Sequence, residues 1–218
     1  MVMDLLSVRD QMTSAFLEGR DHVQVPVDEY TDFRYPKILP VMRFHVDRYK
    51  VPGFGSFMTM HTKASFGMQL LTASFMGGSS GLTPYCLIDI MTVGKKRTVF
   101  VEYYECGSSS VPALSSVHST YSHLPEYTEK PHWYVGERAP YSLIKCGTAA
   151  DDAVLTSMVL DSVRAYRSCS GVSNLPGLTA FRERMINEGN PSSSVLEKVF
   201  GKEGARDFFV KCVMPIDE

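Results

Sequence analysis

The chain has 218 residues and 24.3 kDa, 22 Lys and Arg against 24 Asp and Glu, a net charge of −2, and 44% hydrophobic residues. This balance excludes a disordered chain, and it excludes a protein that works on a nucleic-acid backbone, which needs concentrated Lys and Arg. No linker divides the sequence, so one domain spanning 1–218 is expected. The five cysteines, Cys86, Cys106, Cys146, Cys169 and Cys212, are odd in number and contain no CxxC pair. They suggest neither a disulfide framework nor a zinc site, and they point to a reducing compartment. The first residues, MVMDLLSVRDQM, lack the cationic and apolar regions of a leader, and no apolar run approaches the ~18 residues that span a bilayer. A cytoplasmic protein with no membrane partner is expected.

In chain order, Leu5, Val8, Met12, Ala15 and Phe16 fall at helical spacing ahead of Gly19, predicting a helix over 4–17. Asp21 to Pro40 carries Pro26, Pro36 and Pro40 and reads as extended coil. Strands are predicted over Val41 to Asp47, Phe54 to Thr62 and Gly67 to Met76. Pro84 to Cys106, PYCLIDIMTVGKKRTVFVEYYEC, reads as a β-hairpin of two apolar runs around a Gly-Lys-Lys break. No strand is separated from the next by room for a crossover helix, so the sheet is antiparallel. Gly107 to Pro140 shows no strong periodicity. Thr148 and Asp151 form a capping-box pattern before Leu155, Met158, Val159, Val163 and Tyr166. Further helices are expected over Leu178 to Asn187 and from a Ser194-x-x-Glu197 box through a pause at Gly201 to Cys212. The pattern is α+β, a sheet covered by helices.

Each arm of the hairpin holds one carboxylate, Asp89 in the first and Glu102 in the second, where acids are depleted. A loop centred on Lys95-Lys96 sets Asp89 directly opposite Glu102 on one face, and an odd loop separates them. Alternation puts Met91, Phe100 and Tyr104 on the same face as these acids.

Two stretches resemble the ferredoxin-dependent bilin reductases. Asn190 to Pro215, NPSSSVLEKVFGKEGARDFFVKCVMP, is similar to that family's closing V-L-E-K-x-F-G segment, and Pro84 to Asp89, PYCLID, resembles its P-x-x-G-x-D run. The resemblance implies a three-layer α/β/α sandwich around a central antiparallel sheet. It implies an open-chain tetrapyrrole (a bilin such as biliverdin) held between sheet and C-terminal helices, with no bound cofactor and reduced ferredoxin as the external electron donor and partner. By position Asp89 matches the family's catalytic aspartate and Glu102 the Asp of its D-x-x-P motif. Thr72 stands where some members carry a histidine, and Asn190 where the family has a second aspartate.

A carboxyl on an apolar strand face can donate protons near neutrality if burial raises its pKa from ~4. Asp89 and Glu102 are therefore the candidate catalytic pair, with Thr72, Met91, Phe100, Tyr104 and Asn190 the candidate ligand contacts. The competing readings are ordinary ones: Asp89 bonded to a hydroxyl, Glu102 paired with a cation such as Arg97, Thr72 and Asn190 in packing and capping, His61 in packing. His118, His123 and His132 lie in expected loops where they could meet a ligand, though their spacing does not suggest a metal trio. Lys95, Lys96 and Arg97, or Lys198, Lys202 and Arg206, could form a docking face for acidic ferredoxin or merely a solvated surface. The alternative function is a tetrapyrrole carrier that has lost part of the proton relay.

Overall fold

The computed structural model describes residues 3–36, 41–107, 111–190 and 192–216, the side chain of Phe66 aside. Helix α1 (Leu5–Leu17) starts at Asp4, whose carboxylate accepts the Leu6 N–H at 3.1 Å, and it buries Leu5, Val8, Met12 and Phe16. The segment expected as coil contains two short strands, β1 (Val23–Val25) and β2 (Asp32–Tyr35), both paired with the strand over Met42–Val51; residues 37–40 lie outside the described residues.

The three predicted strands are present as β3 (Met42–Val51), β4 (Gly55–Ala64) and β5 (Met68–Gly77). The hairpin is present as β6 (Leu82–Val93) and β7 (Lys96–Tyr104). Within the stretch that showed no periodicity the chain forms α2 (Ala113–Tyr121), and β8 (Leu143–Thr148) follows it. The Thr148 and Asp151 capping box forms as expected and leads into α3 (Asp152–Ser168). After β9 (Val172–Ser173) come α4 (Leu175–Asn187) and α5 (Ser193–Phe208), which Gly201 interrupts at φ +75°. The box expected at Ser194 and Glu197 does not form. Helix α5 begins two residues earlier, with Ser192 at its N-cap position, and Asn190 ties its start by accepting the Ser192 N–H at 3.0 Å on its side-chain oxygen.

Among the described residues the strands make one sheet in the order β1-β3-β4-β5-β6-β7-β8, with β2 also on β3 and β9 also on β6. Every pairing is antiparallel. Helices α1, α2 and α3 pack on one face over Phe57, Leu71, Phe75, Ile88, Ile90, Val99 and Val101. Helices α4 and α5 cover the other over Phe44, Met58, Met60, Tyr85, Leu87 and Tyr104. The result is an α+β sandwich, antiparallel sheet in the middle, as alternation and late helices predict.

The hairpin turn decides the register. Gly94 opens a two-residue loop at φ +56°, with Val93 paired to Lys96. Glycine takes that first loop position because it alone adopts positive φ without strain, so the loop is Gly94-Lys95 and not Lys95-Lys96. Asp89 consequently faces Phe100, and Glu102 faces Leu87. The two acids stay on one face but are diagonal neighbours, roughly 7–8 Å apart, rather than directly opposite.

Arg97 does not belong to an exposed tip. It is 1% exposed, on the face covered by α3, where its guanidinium donates to Asp152 at 2.6 and 3.2 Å and to the Gly94 and Lys96 carbonyls at 2.9 and 3.0 Å. Lys145, fully buried on β8, is likewise saturated: it donates to the Ser122 and Leu124 carbonyls at 3.0 and 3.1 Å and pairs with Glu126. Each cation fastens a helix end to the sheet, the start of α3 and the end of α2. Arg97→Ala is expected to destabilise by roughly 2–4 kcal/mol in urea unfolding, because Asp152 loses its partner at a half-buried position. Lys96→Ala next to it, at an exposed position, should stay within about 0.5 kcal/mol.

Candidate functional site

Strand pairing builds the floor of the site. At the centre of β6, Asp89 stands between Thr72 on β5 and Phe100 on β7. The Thr72 hydroxyl donates to Asp89 Oδ1 at 2.5 Å, a bond that the register makes unavoidable since the two residues are cross-strand partners. Asp89 is half-buried. Burial pushes its pKa up from 3.8 to about 6, against the Thr72 bond, which favours the charged form.

Glu102 is 2% exposed and lies in a cluster of bonds. The Tyr104 hydroxyl donates to its Oε1 at 3.0 Å, and Arg138 donates to the same oxygen at 2.5 Å. Arg138 also grips Glu129, with one contact at 3.0 Å, so one guanidinium stands between two carboxylates. Burial raises the Glu102 pKa to about 7, the neighbouring Asp89 adding to the shift while Arg138 and the Tyr104 hydroxyl oppose it. Two carboxyl groups on one strand pair therefore titrate close to neutrality. Among the described residues no hydrogen bond reaches Asp89 Oδ2 or Glu102 Oε2; each acid has one oxygen tied to the protein and one uncommitted.

Space opens on both sides of Asp89. Beneath α4 and α5 lies a hollow of about 20 Å³, lined by Thr72, Asp89, Met185, Asn190, Leu196 and Phe209 among others, with room for about one water. On the other side a cleft of about 390 Å³ runs over Asp89, Phe100 and Glu102, walled by residues 127–138. Tyr127, Glu129, His132, Tyr134 and Arg138 line it. Phe100 meets Tyr127 edge-on at 5.5 Å, and the His132 ring lies flat on Tyr134 at 5.2 Å.

The residues singled out from sequence are thus brought together in large part. Thr72, Asp89 and Asn190 share the small hollow; Asp89, Phe100 and Glu102 share the cleft. Asn190 is engaged with the turn before α5, donating to the Met185 carbonyl at 3.1 Å while accepting from Ser192. Tyr104 is 1% exposed, packed on Tyr85 and Phe181 and bonded to Glu102, so it supports the acid from behind. Met91 shares the face, opposite Leu70 and Thr98, but lines neither hollow. His61 points to the opposite face, bonded to Gln69 at 3.2 Å, and burial lowers its pKa. The partner of Glu102 is Arg138 and not Arg97. Arg138, Glu129, Tyr127 and Tyr134 come from a stretch without periodicity; the signal that pointed toward them was the buried glutamate itself, which had to find a cation somewhere.

Among the described residues no three His, Cys, Asp or Glu gather to hold a metal ion, and no helix is long and apolar enough to cross a membrane. No protein-family model matches the sequence, and no curated protein matches it significantly. Among solved structures the chain is similar to phytochromobilin synthase from tomato, crystallised in complex with biliverdin, with a TM-score of 0.71 at 13% identity. The match covers 95% of this chain and 80% of that one. What is shared at this identity is the fold.

The upward shift of Asp89 has a consequence for stability. Between pH 3.8 and about 6 the folded chain holds a proton that the unfolded chain releases, so stability falls as pH rises through that window. Above it the folded state carries the full cost of a buried charge, about 2–3 kcal/mol. Asp89→Asn should therefore stabilise the protein by roughly that amount at pH 7.5 in urea unfolding, with the gain vanishing near pH 4. Equal stability of the two proteins at both pH values would contradict the shift.

Proposed function

We propose that this protein binds a linear tetrapyrrole and reduces it with electrons from ferredoxin, Asp89 and Glu102 supplying protons. The observation that carries the reading is Asp89: a carboxyl with a pKa of about 6, on a cleft floor, in a fold shared with a structure that contains biliverdin. Reducing one double bond of a conjugated pigment takes two electrons and two protons. The electrons arrive singly from the reduced iron–sulfur protein, which is oxidised in turn. At each protonation an acid O–H bond breaks and a bond to the pigment forms, leaving a carboxylate that regains its proton from water.

A group poised near the working pH suits both halves of that cycle, since it is neither too weak an acid to donate nor too strong to be recharged. Asp89 meets the condition through burial, held short of neutrality by Thr72. Glu102 meets it through burial opposed by Arg138. Thr72 orients the Asp89 carboxyl rather than donating a proton itself. For the electron donor, Lys198 and Lys202 on α5 are exposed cations. Lys202 borders an outer groove whose inner residues Asn190, Leu196 and Phe209 also line the hollow beside Asp89. Arg206 is already paired with Glu183 at 2.9 Å and contributes less.

The test is a spectral titration with biliverdin followed by addition of a reduced ferredoxin system. Binding and consumption of the pigment are expected. Asp89→Asn should keep the dissociation constant within about threefold while cutting turnover by roughly 10²–10⁴. A pigment that binds and is never consumed would establish the carrier reading instead, and absence of binding would end both.

A further inference from the structure

We propose that Arg34, Arg43 and Lys63, one cross-strand row of cations on the face of the sheet away from Asp89, form a docking surface for an acidic helix of another protein. None of the three lines the cleft or the hollow, so this inference stands apart from the tetrapyrrole reading.

The first argument is register. Arg34 on β2 stands directly opposite Arg43 on β3, and Arg43 directly opposite Lys63 on β4. Directly paired residues project to one face, here the face of α1 to α3, because the alternate positions Phe33 and Phe44 pack into the layer under α4 and α5. Three like charges therefore stand in a line, about 5 Å from one to the next. All three are exposed, and among the described residues no hydrogen bond or ion pair holds any of them. The acids on the same face of these strands are taken: Asp32 by His45 at 2.9 Å, and Asp47 by His45 at 3.3 Å and by Arg9 at 3.6 Å. The row continues through Gln69 and Thr92 to the buried Arg97 and holds no acid.

The second argument is that the fold gains nothing from this arrangement. Like charges directly opposite one another are unfavourable in a sheet. A charge on an edge strand guards against strand addition, which accounts for Arg34 on β2. It does not account for Arg43 and Lys63, whose strands β3 and β4 are paired on both sides. An acidic partner turns the repulsion into attraction, and the spacing sets its shape. Carboxylates at i, i+4 and i+7 of a helix are about 5–6 Å apart, the pitch of the row, whereas same-face residues of an extended strand are roughly 6.6–6.8 Å apart and fall out of step with it. Nucleic acid is the poorer fit, because three cations in a chain of net charge −2 reach few phosphates.

The test uses two fluorescent alanine-rich helical peptides of about 18 residues. One carries Glu at i, i+4, i+7 and i+11 along one face, and the other carries the same Glu residues scattered around the helix. Both are titrated by anisotropy into the unsubstituted protein at about 50 mM salt. The striped peptide should bind at least ~5-fold tighter than the scattered one and weaken as salt rises. Arg43→Glu should weaken it at least ~10-fold while raising the melting temperature by about 2 °C, because the new carboxylate lies between Arg34 and Lys63. Loss of binding with a gain in stability is a result that misfolding cannot imitate. Lys50→Glu, at an exposed cation near the far end of β3, should stay within about twofold. No binding of the striped peptide, equal binding of the two peptides, equal weakening by Lys50→Glu, or tighter binding of a single-stranded DNA oligomer would each overturn the proposal. A melting temperature that falls in Arg43→Glu would remove the charge argument and the proposal with it.

Discussion

The cross-strand bond from Thr72 to Asp89 is the contact on which the site depends. A carboxyl in the middle of a sheet covered on both faces is an unfavourable placement, and one short bond from the adjacent strand makes it tenable. That bond exists because β5 and β6 are in a single register, and the register exists because each strand buries an unbroken apolar set on the opposite face: Leu71, Ala73 and Phe75 on β5, Ile88 and Ile90 on β6. A slip by one residue would turn all of these toward the wrong layer. The core beneath the first three helices thus aims the acid above it.

The two faces of the sheet treat charge differently. Under α1 to α3 the buried cations Arg97 and Lys145 have several acceptors each and serve to anchor helix ends. Under α4 and α5, and out toward residues 127–138, the buried acids keep unused bonding capacity. Saturated groups hold a structure together; partly satisfied ones keep bonding capacity in reserve. The two carboxyls that burial raises toward neutrality lie on the second face, where the cleft is also found.

Local signals in the sequence were legible. The helix over 4–17, the box at Thr148 and Asp151, the alternation of β6 and β7 and the break at Gly201 each depend on residues a few positions apart, and each appears in the structure. The antiparallel sheet covered by helices followed from them. The register of the hairpin was misplaced by the choice of loop, since three polar residues compete for a two-residue turn and only the glycine tolerates the required angle. What could not be read was long-range pairing. Arg138 lies 36 residues from Glu102 in a stretch that also holds α2, and neither had a period to mark it. Likewise β8 is a short edge strand whose buried lysine disguises it.

Arg138 held by Glu102 on one side and Glu129 on the other has a consequence for how the cleft changes charge. In an isolated buried pair, protonating the acid strands its guanidinium, and the strandedness resists the proton. Here a redundant tether remains: when Glu102 becomes neutral, Glu129 still balances Arg138, and the wall keeps its shape. The three-membered arrangement turns what would be a lock into a ratchet pawl that can lift and drop again, letting a structural ion pair and a titrating acid be the same residue.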